Sequence, residues 1–378
     1  MLKNTKFWIF VFIFIVLVIV FFLNPSFLGG QISYEFISGQ KKDIIKNLLP
    51  LETPPFPPLD KDAYDKKLIE LANNPPAPTP TTKVVKDPKT GQTNTVTIPA
   101  KVLPPNIWPV TTVYPKDGAI LPFKRIVAYY GNLYSNKMGV LGQYPEEEML
   151  TRLGAEVKKW EVADPNTKVI PALHYITVVA QGSAGADGKY RTRMPFIEID
   201  KVLKIAEKIN GIVFLDFQVA FSTLEKELPI YEKYFKMPNV HLGIDPEFSM
   251  KGNIRPGKVV GTYDAVDVNF AINFLTQIVK ENNLSPKILV VHRYTQKMVT
   301  HYNLIKPTPE VQVVMHMDGW GGKTKKIGTY QHFIYKEPVQ FTGFKLFYKN
   351  DILESGTTMF TPEELMKLNP RPIYIQYQ

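Results

Sequence analysis

The chain has 378 residues, of which 44% are hydrophobic and 12% aromatic, so it can bury a large core and is not globally disordered. It contains no cysteine, which excludes disulfides, thiolate nucleophiles and cysteine-ligated zinc or iron–sulfur sites. A formal net charge of +10 suits anionic wall polymers or lipid headgroups. Nucleic acid is not an expected partner, because the sequence shows no zinc-finger spacing, RNP-like aromatic signature or basic helix.

An uninterrupted apolar run, Phe7–Leu23, follows two lysines near the start of the sequence. It exceeds the ~7–15-residue core of a cleavable signal and approaches the roughly 20 residues of a membrane-spanning helix. We therefore interpret residues 1–30 as an uncleaved signal anchor that leaves the rest of the chain outside the membrane, at the cell surface. Cleavage after Gly30 is the alternative.

Recurring proline tracts mark the segment 31–122. Proline fixes φ and blocks helix formation, so such tracts form extended, semi-rigid spacers. A helix is predicted at Asp60–Ala72, and a hairpin is predicted where Lys83–Lys86 and Thr95–Ile98 flank a turn. Two interpretations stay open: a stalk that lifts the next domain off the membrane, or an arm wrapped on that domain's surface.

From residue 123 onward, eight apolar runs alternate with seven amphipathic stretches. Strands are predicted at Arg125–Tyr130, Lys168–Ile176, Gly211–Gln218, Val240–Asp245, Lys287–Tyr294, Val311–Asp318, Gly343–Lys349 and Pro372–Gln376. Helices are predicted at Pro145–Trp160, Phe196–Ile209, Ser222–Phe235, Asp264–Glu281, Gln296–Leu304, Lys325–Tyr335 and Thr361–Leu368.

This alternation predicts an α/β fold for residues 123–378. Near-continuous apolar strands between helices are typical of a parallel sheet buried on both faces, and eight such strands close a (β/α)8 TIM-type barrel. The chain ends at the eighth strand, so the barrel lacks its last helix. We expect part of the preceding segment to cover that gap. An open doubly wound sheet is the alternative.

Every predicted strand ends in polar residues, at the edge where barrel enzymes place their active sites. Unpaired polar groups are costly there, so folding alone does not explain eight polar ends. The candidates are Tyr130, His174, Asp216, Gln218, Asp245, Glu247, His292, Arg293, Tyr294, His316, Asp318, Trp320, Lys349, Tyr374 and Gln376. Structural roles stay open for some: Asp216 or Glu247 as a cap of the next element, the histidines as core residues, and Arg293 as the ion partner of an acid.

Carboxylates on neighbouring strand ends, ringed by aromatic and polar side chains, are what glycoside hydrolysis needs. On the fourth strand Asp245 and Glu247 share a face, and Pro246 ends the strand between them. We assign Glu247 as the proton donor, Asp245 as a charged supporting acid, and Asp216 or Asp318 as the third acid. The other candidates are assigned to substrate binding, with no cofactor and no metal.

Asp245 and Glu247 resemble the end of the D-x-x-D-x-D-x-E signature of chitinase-type glycoside hydrolases, which are (β/α)8 barrels. Val240 and Gly243 stand where that family has its two earlier acids. The family's M-x-Y-D motif is matched by Met315–Asp318, with methionine in place of tyrosine. That departure speaks against substrate-assisted catalysis, because the tyrosine helps to orient the reacting acetamido group.

A longer resemblance runs from about Leu121 to Gln378, to a family of bacterial secreted or lipid-anchored proteins of unassigned function. It is carried by the blocks AYYGNLYSNKMGVLGQYP, GKYRTRMP, FLDFQV, HLGIDPEFSM, VVHRYT, HMDGWG, QFTGFKLFYKND and IYIQYQ. The resemblance implies an extracytoplasmic protein and brings no activity with it.

The favoured function is therefore a membrane-anchored, extracytoplasmic, glycoside-hydrolase-like barrel that acts on cell-envelope or extracellular glycans. A non-catalytic barrel that binds glycan or cell wall is one alternative. The other is a metal-dependent hydrolase with His174, His292, His316 and an aspartate as ligands. The lack of an H-x-H pair on any predicted strand argues against the last.

Overall fold

The structure, a computed structural model, describes residues 56–86, 88, 91–100 and 104–378. The anchor predicted for residues 1–30 lies outside these residues. Within the described part of the chain, no helix is long and apolar enough to cross a membrane.

In chain order the strands are β1 (Thr81–Lys86), β2 (Thr93–Ile98), β3 (Lys124–Gly131), β4 (Lys168–Ala180), β5 (Arg191–Arg193), β6 (Ile212–Phe217), β7 (Val240–Ile244), β8 (Tyr263–Asp264), β9 (Lys287–Arg293), β10 (Val299–Thr300), β11 (Val311–Met317), β12 (Phe341–Leu346) and β13 (Tyr374–Tyr377). The α-helices are α1 (Lys61–Ala72), α2 (Glu146–Ala163), α3 (Phe196–Glu207), α4 (Leu224–Glu227), α5 (Glu232–Phe235), α6 (Ala265–Glu281), α7 (Lys323–Tyr330) and α8 (Pro362–Leu365).

Eight of these strands form a closed parallel barrel, in the order β3, β4, β6, β7, β9, β11, β12 and β13. Parallel pairing of β13 with β3 completes the ring, with Tyr374 in register with Ile126. The predicted TIM-type barrel is therefore confirmed, and the open doubly wound sheet is wrong.

Each barrel strand is apolar on both faces because both faces are buried. On β6, Val213, Leu215 and Phe217 face outward into the core that the barrel shares with its helices. Phe214 faces inward and packs in a second cluster that fills the amino-terminal half of the barrel. Asp216, two residues further along the inward face, begins the polar half.

Two helix predictions need correction. Gln296–Leu304 forms two 3-10 turns around the short strand β10 rather than one helix, and His301 between them adopts a positive φ of 53°. Ser222–Phe235 is split into α4, a 3-10 turn at Leu228–Tyr231 and α5. Pro229 lies in that turn and cannot donate a helical hydrogen bond.

Helix α1 packs on the amino-terminal mouth of the barrel. Its predicted start is confirmed, since Asp60 caps the helix by accepting a hydrogen bond from the Ala63 amide at 2.9 Å. Tyr64 is 2% exposed and packs in the cluster inside this mouth. The amide of Arg371 donates to the Leu71 carbonyl at 2.7 Å. The hairpin of β1 and β2 is instead exposed along its whole length.

The outer side of β13 is covered by helices of the barrel domain itself. The indole Nε1 of Trp160, on α2, donates to the Tyr377 hydroxyl at 3.0 Å. Helix α8 packs beside α2 in the same layer. We expected part of the segment before residue 123 to cover this side of the barrel. Among the described residues that expectation is wrong, because α1 packs at the amino-terminal end of the barrel instead.

We expect Tyr64→Ala to lower the free energy of unfolding by on the order of 3 kcal/mol, because it removes a buried aromatic ring from the mouth of the barrel. Chemical denaturation of the full chain measures this. Ile69→Ala, on the exposed face of the same helix, is the control and should change stability by less than about 0.5 kcal/mol. Equal effects of the two substitutions would show that α1 does not dock through Tyr64.

Candidate active site

A cavity of about 630 Å³ lies at the carboxyl ends of the barrel strands. Seven of the predicted site residues line it: Tyr130, Gln218, Asp245, Glu247, Tyr294, Asp318 and Trp320. Lining residues that the sequence did not single out include Lys137, Met138, Phe248, Lys325, Lys345, Phe347 and Gln378. Trp320 is 49% exposed, which is unusual for tryptophan, and Lys325 Nζ lies over its ring, 4.2 Å from the centroid.

The turn after β7 fixes the position of Glu247. Pro246 cannot continue the sheet, so the strand ends at Ile244 and a 3-10 turn follows. Asp245 caps this turn, and its Oδ1 accepts a hydrogen bond from the Glu247 amide at 3.0 Å. The Glu247 carbonyl accepts from the Gly261 amide at 2.7 Å. The backbone of Glu247 is therefore held on both sides.

The environment of Glu247 favours its neutral form. Burial raises the pKa of the Glu247 carboxyl, and the charge of Asp318 raises it further. A hydrogen bond with Tyr294 opposes the shift without cancelling it. A half-buried carboxylic acid with a raised pKa, facing a cavity, has the properties of a proton donor.

The surroundings of Asp245 oppose the charge that the sequence predicts for it. Its side chain is buried, and burial raises the pKa of the carboxyl well above its ordinary value. Gln218 donates to its Oδ2 at 3.3 Å, which holds the carboxyl in place. Burial therefore opposes the charge that the sequence assigns to Asp245, because the strand end lies deeper than its polar sequence implies.

The surroundings of Asp318 favour its ionised form. Burial opposes its ionisation, but Lys345 and His292 lower the pKa of Asp318 overall. The Lys345 ammonium lies 2.9 Å from Oδ1, and His292 Nδ1 lies 2.8 Å from Oδ2. Lys345 also lies over the ring of Tyr130, 3.9 Å from its centroid.

Beneath the cavity floor, Asp216 on β6 lies between His174 on β4 and His292 on β9. Its Oδ1 is 3.2 Å from His174 Nε2 and 3.4 Å from His292 Nε2, while Tyr130 donates to its Oδ2 at 3.1 Å. All three groups are buried. Burial disfavours the Asp216 anion, yet the two histidines lower the pKa of Asp216 overall.

Two further predicted residues, Tyr374 and Gln376, belong to this buried layer and do not line the cavity. The Tyr374 hydroxyl lies 2.6 Å from His174 Nδ1 and accepts a hydrogen bond from Gln376 at 2.9 Å. His316 is in the same layer, with both ring nitrogens lacking a hydrogen-bond partner among the described residues. None of the buried residues of this layer lines the cavity, and their contact with substrate stays a prediction: His174, His292, His316, Tyr374 and Gln376.

Arg293 and Lys349 do not lie at the cavity either. Arg293 faces outward, donates to backbone carbonyls that include those of Phe333 and Val299, and pairs with Glu337. Period-two alternation places it opposite to His292. Lys349 is exposed in the loop after β12, because that strand starts two residues before the predicted one.

Lys345 takes the place that the sequence assigned to Lys349. It lies two residues after Gly343 on β12, so alternation gives both the same inward face. A lysine within the apolar run Phe341–Leu346 was the signal that could have identified it, since a buried lysine needs an anionic partner.

No protein-family model matches the sequence, and a comparison with curated proteins finds no similar sequence. Solved structures with a similar fold include an endocellulase from Pyrococcus horikoshii in complex with cellotetraose, with 12% identity, 80% of this chain and 91% of that chain covered, and a TM-score of 0.37. A GH5-4 broad specificity endoglucanase from Clostridium acetobutylicum has 12% identity over 68% of this chain and 87% of its own, with a TM-score of 0.37.

The dihydropteroate synthase of Burkholderia cenocepacia is similar to a comparable extent, with 10% identity over 68% of this chain and 86% of its own, and a TM-score of 0.30. Similarity of this degree extends to enzymes of unrelated chemistry, so it carries no conclusion about activity. It also gives no support to the resemblance to secreted or lipid-anchored proteins.

We expect Arg293→Met to lower the free energy of unfolding by about 3–5 kcal/mol, because it leaves Glu337 without its cation and several buried carbonyls without a donor. Urea denaturation measures the change. Lys349→Met, at the exposed loop position, should change stability by less than about 0.5 kcal/mol. A small effect of Arg293→Met would mean that the guanidinium is not held by these partners.

Proposed function

We propose that this protein is a glycoside hydrolase whose proton donor is Glu247. The observation that carries the proposal is that Glu247 and Asp318, from different barrel strands, line one cavity that is open at the carboxyl ends and has an exposed indole beside it. Two carboxyl groups around a glycosidic bond are the minimum that most glycosidases require.

Glu247 would protonate the glycosidic oxygen as the bond to the anomeric carbon breaks. Its raised pKa supports this role, because the acid must hold its proton until the leaving group needs it. Asp245 would position Glu247 through the amide hydrogen bond. Asp318 would stabilise positive charge on the sugar, or would take a proton from the water molecule that attacks the anomeric carbon. The face of the Trp320 ring opposite to Lys325 would stack on a sugar ring.

The location that we propose rests on the sequence alone. An apolar N-terminal run after two lysines supports a membrane anchor, and the net charge of +10 suits anionic envelope polymers. Cell-envelope or extracellular glycans are the substrates that fit such a location.

A glycan-binding protein without turnover is the second candidate, favoured by one observation. The Lys345 ammonium lies 2.9 Å from Asp318 Oδ1 and partly neutralises the carboxylate that would support the reaction. Such a protein would keep the cavity and the exposed indole, and it would bind the same class of ligand.

We expect Glu247→Gln to lower kcat/KM by about 10²–10⁴-fold on oligosaccharides, because the amide fills the same space without donating a proton. A panel of labelled oligosaccharides and the matching 2,4-dinitrophenyl glycosides serves as substrates. The loss should be much smaller on the dinitrophenyl glycosides, because their leaving group departs without protonation.

Glu225→Gln, at an exposed position on α4, is the control and should leave both rates unchanged. Glycan binding without turnover by the wild-type chain would favour the binding protein. If Glu247→Gln had no effect on turnover that the wild-type chain does show, the assignment of Glu247 would be wrong.

The same role predicts the pH dependence of kcat/KM. A proton donor must be protonated, so activity falls as pH rises through the pKa of Glu247. Because burial raises that pKa above its ordinary 4.5, the descending limb should lie above pH 4.5. Tyr294→Phe removes a hydrogen bond that lowers this pKa, so the limb should move to higher pH.

Tyr302→Phe, in the 3-10 turn outside the cavity, is the control and should leave the limb unchanged. If Tyr294→Phe left the descending limb of the kcat/KM profile unchanged, or moved it to lower pH, the assignment of this limb to a Glu247 that is hydrogen-bonded to Tyr294 would be wrong.

A further inference from the structure

We propose that His174, Asp216 and His292 bind a divalent transition-metal ion, with Zn²⁺ the best fit, beneath the floor of the cavity. This inference goes beyond the proposed function, because it concerns a buried layer that the hydrolytic scheme does not use. It is carried by four features: ligand distances, unpartnered atoms, outer hydrogen bonds and one glycine.

The first feature is the spacing of the donor atoms. His174 Nε2, Asp216 Oδ1 and His292 Nε2 all lie within 4.8 Å of one another. The two nitrogen–oxygen distances are 3.2 Å and 3.4 Å. Bonds of about 2.0–2.1 Å at tetrahedral angles separate two ligand atoms by about 3.3 Å, so these distances match a shared zinc ion.

The second feature is that these three atoms lack hydrogen bonds. Each is fully buried, and none has a hydrogen-bond partner of acceptable geometry among the described residues. Their closest contacts are the ion-pair distances between Asp216 Oδ1 and the two imidazole nitrogens, and a shared cation would take the place of these contacts. A buried nitrogen or oxygen without a partner is costly, and a shared cation would satisfy all three atoms at once.

The third feature is the way the other ring nitrogens are held. His292 Nδ1 is 2.8 Å from Asp318 Oδ2, and His174 Nδ1 is 2.6 Å from the Tyr374 hydroxyl. The second oxygen of Asp216 accepts from Tyr130. Metal-binding histidines are usually oriented in this manner, with the nitrogen that faces away from the metal bonded to a carboxylate or another polar group.

The fourth feature is Gly243 on β7, the register partner of Asp216. A Cβ at this position would lie 2.4 Å from both Asp216 Oδ1 and His174 Nε2. Only glycine therefore fits beside these two atoms. Because residue 243 has no side chain, the space next to the proposed ligand atoms is not filled by carbon atoms from β7.

Two imidazoles and one carboxylate select a borderline divalent ion over calcium or magnesium, which prefer oxygen ligands. Three protein ligands also leave a coordination position open, which is the pattern of zinc sites that bind a further group. Tyr130 and Asp318 connect the three ligands to the cavity above, since each contacts the buried layer and lines the cavity.

The test is metal binding by the full chain, purified through a tag without histidine and stripped with a chelator. Titration with Zn²⁺ against a chromogenic chelator should give one tight site per chain, and Co²⁺ should give visible absorption bands of a low-coordinate site. Failure of the stripped wild-type chain to bind Zn²⁺, Co²⁺, Fe²⁺ or Mn²⁺ tightly would overturn the proposal.

Gly243→Ala should weaken Zn²⁺ binding by at least about 100-fold, because the methyl group enters the space beside two donor atoms. Gly211→Ala is the matched control: its Cβ would lie 3.0 Å from the Pro171 carbonyl oxygen, at the end of β6 opposite to Asp216, so tight binding should remain. Circular dichroism checks that both variants fold. Tight binding that survives Gly243→Ala would place the ion elsewhere, for example at the exposed pair His301 and Asp264, and would overturn the proposal.

If the glycine variant does not fold, Tyr374→Phe serves as a milder test, since it removes one hydroxyl that holds His174. It should weaken Zn²⁺ binding by about 10-fold, whereas Tyr330→Phe, which removes a buried hydroxyl far from the ligands, should not. Equal affinities of the two variants would count against the proposal. These measurements do not depend on glycan turnover, so the metal site and the proposed hydrolase can fail separately.

Discussion

Backbone pairing between β13 and β3 brings the carboxyl ends of eight strands into one ring, and the candidate site depends on that closure. In an open sheet, Tyr374 on the last strand could not lie 2.6 Å from His174 on the second barrel strand. The closed barrel has an apolar half around Phe214 and a polar half around Asp216. One register shift of a strand would exchange its inward and outward residues, so the whole polar layer relies on exact pairing.

The polar half has two levels with different properties. The upper level, with Glu247 and Trp320, faces the cavity and is where a ligand could be held. The lower level, with His174 and Asp216, is buried and has side-chain atoms without a hydrogen-bond partner in the described part of the chain. Tyr130 and Asp318 belong to both, so a change of charge in the lower level would be felt by the cavity through short contacts. The proposed metal site and the proposed proton donor are thus separate features, and Tyr130 and Asp318 contact the surroundings of both.

The barrel itself could be predicted from sequence, because apolar runs of strand length alternate with amphipathic stretches of helix length. Pro246 correctly marked the end of β7, since a proline has no amide to continue a sheet. Lys349 was misplaced because β12 begins at Phe341, and an error of a few residues at a strand boundary moves the predicted strand end into the next loop. Arg293 was misplaced although the boundary was nearly right, because polarity at a strand end does not say which face a side chain occupies.

Charge states could not be predicted in the same way. Asp245 and Asp318 both follow barrel strands, yet burial raises the pKa of Asp245, whereas Lys345 and His292 lower the pKa of Asp318. That difference depends on Lys345, which lies on a different strand from both aspartates, so the residues around each aspartate in the sequence do not reveal it. The role of Gly243 could not be predicted from a local pattern either. In the sequence it stands only where the chitinase-type signature has an acid, whereas in the structure any side chain at this position would collide with Asp216 and His174.

The docking of α1 also bears on how the molecule folds. Contacts such as Arg371 to Leu71 and Asn73 to Leu368 join parts of the chain almost 300 residues apart. Contacts of such high sequence separation carry a large entropic cost of loop closure while the intervening chain is unfolded. The docking of α1 is therefore a long-range step of folding. Until that step is complete, the apolar residues inside the mouth are open to solvent and to other unfolded chains.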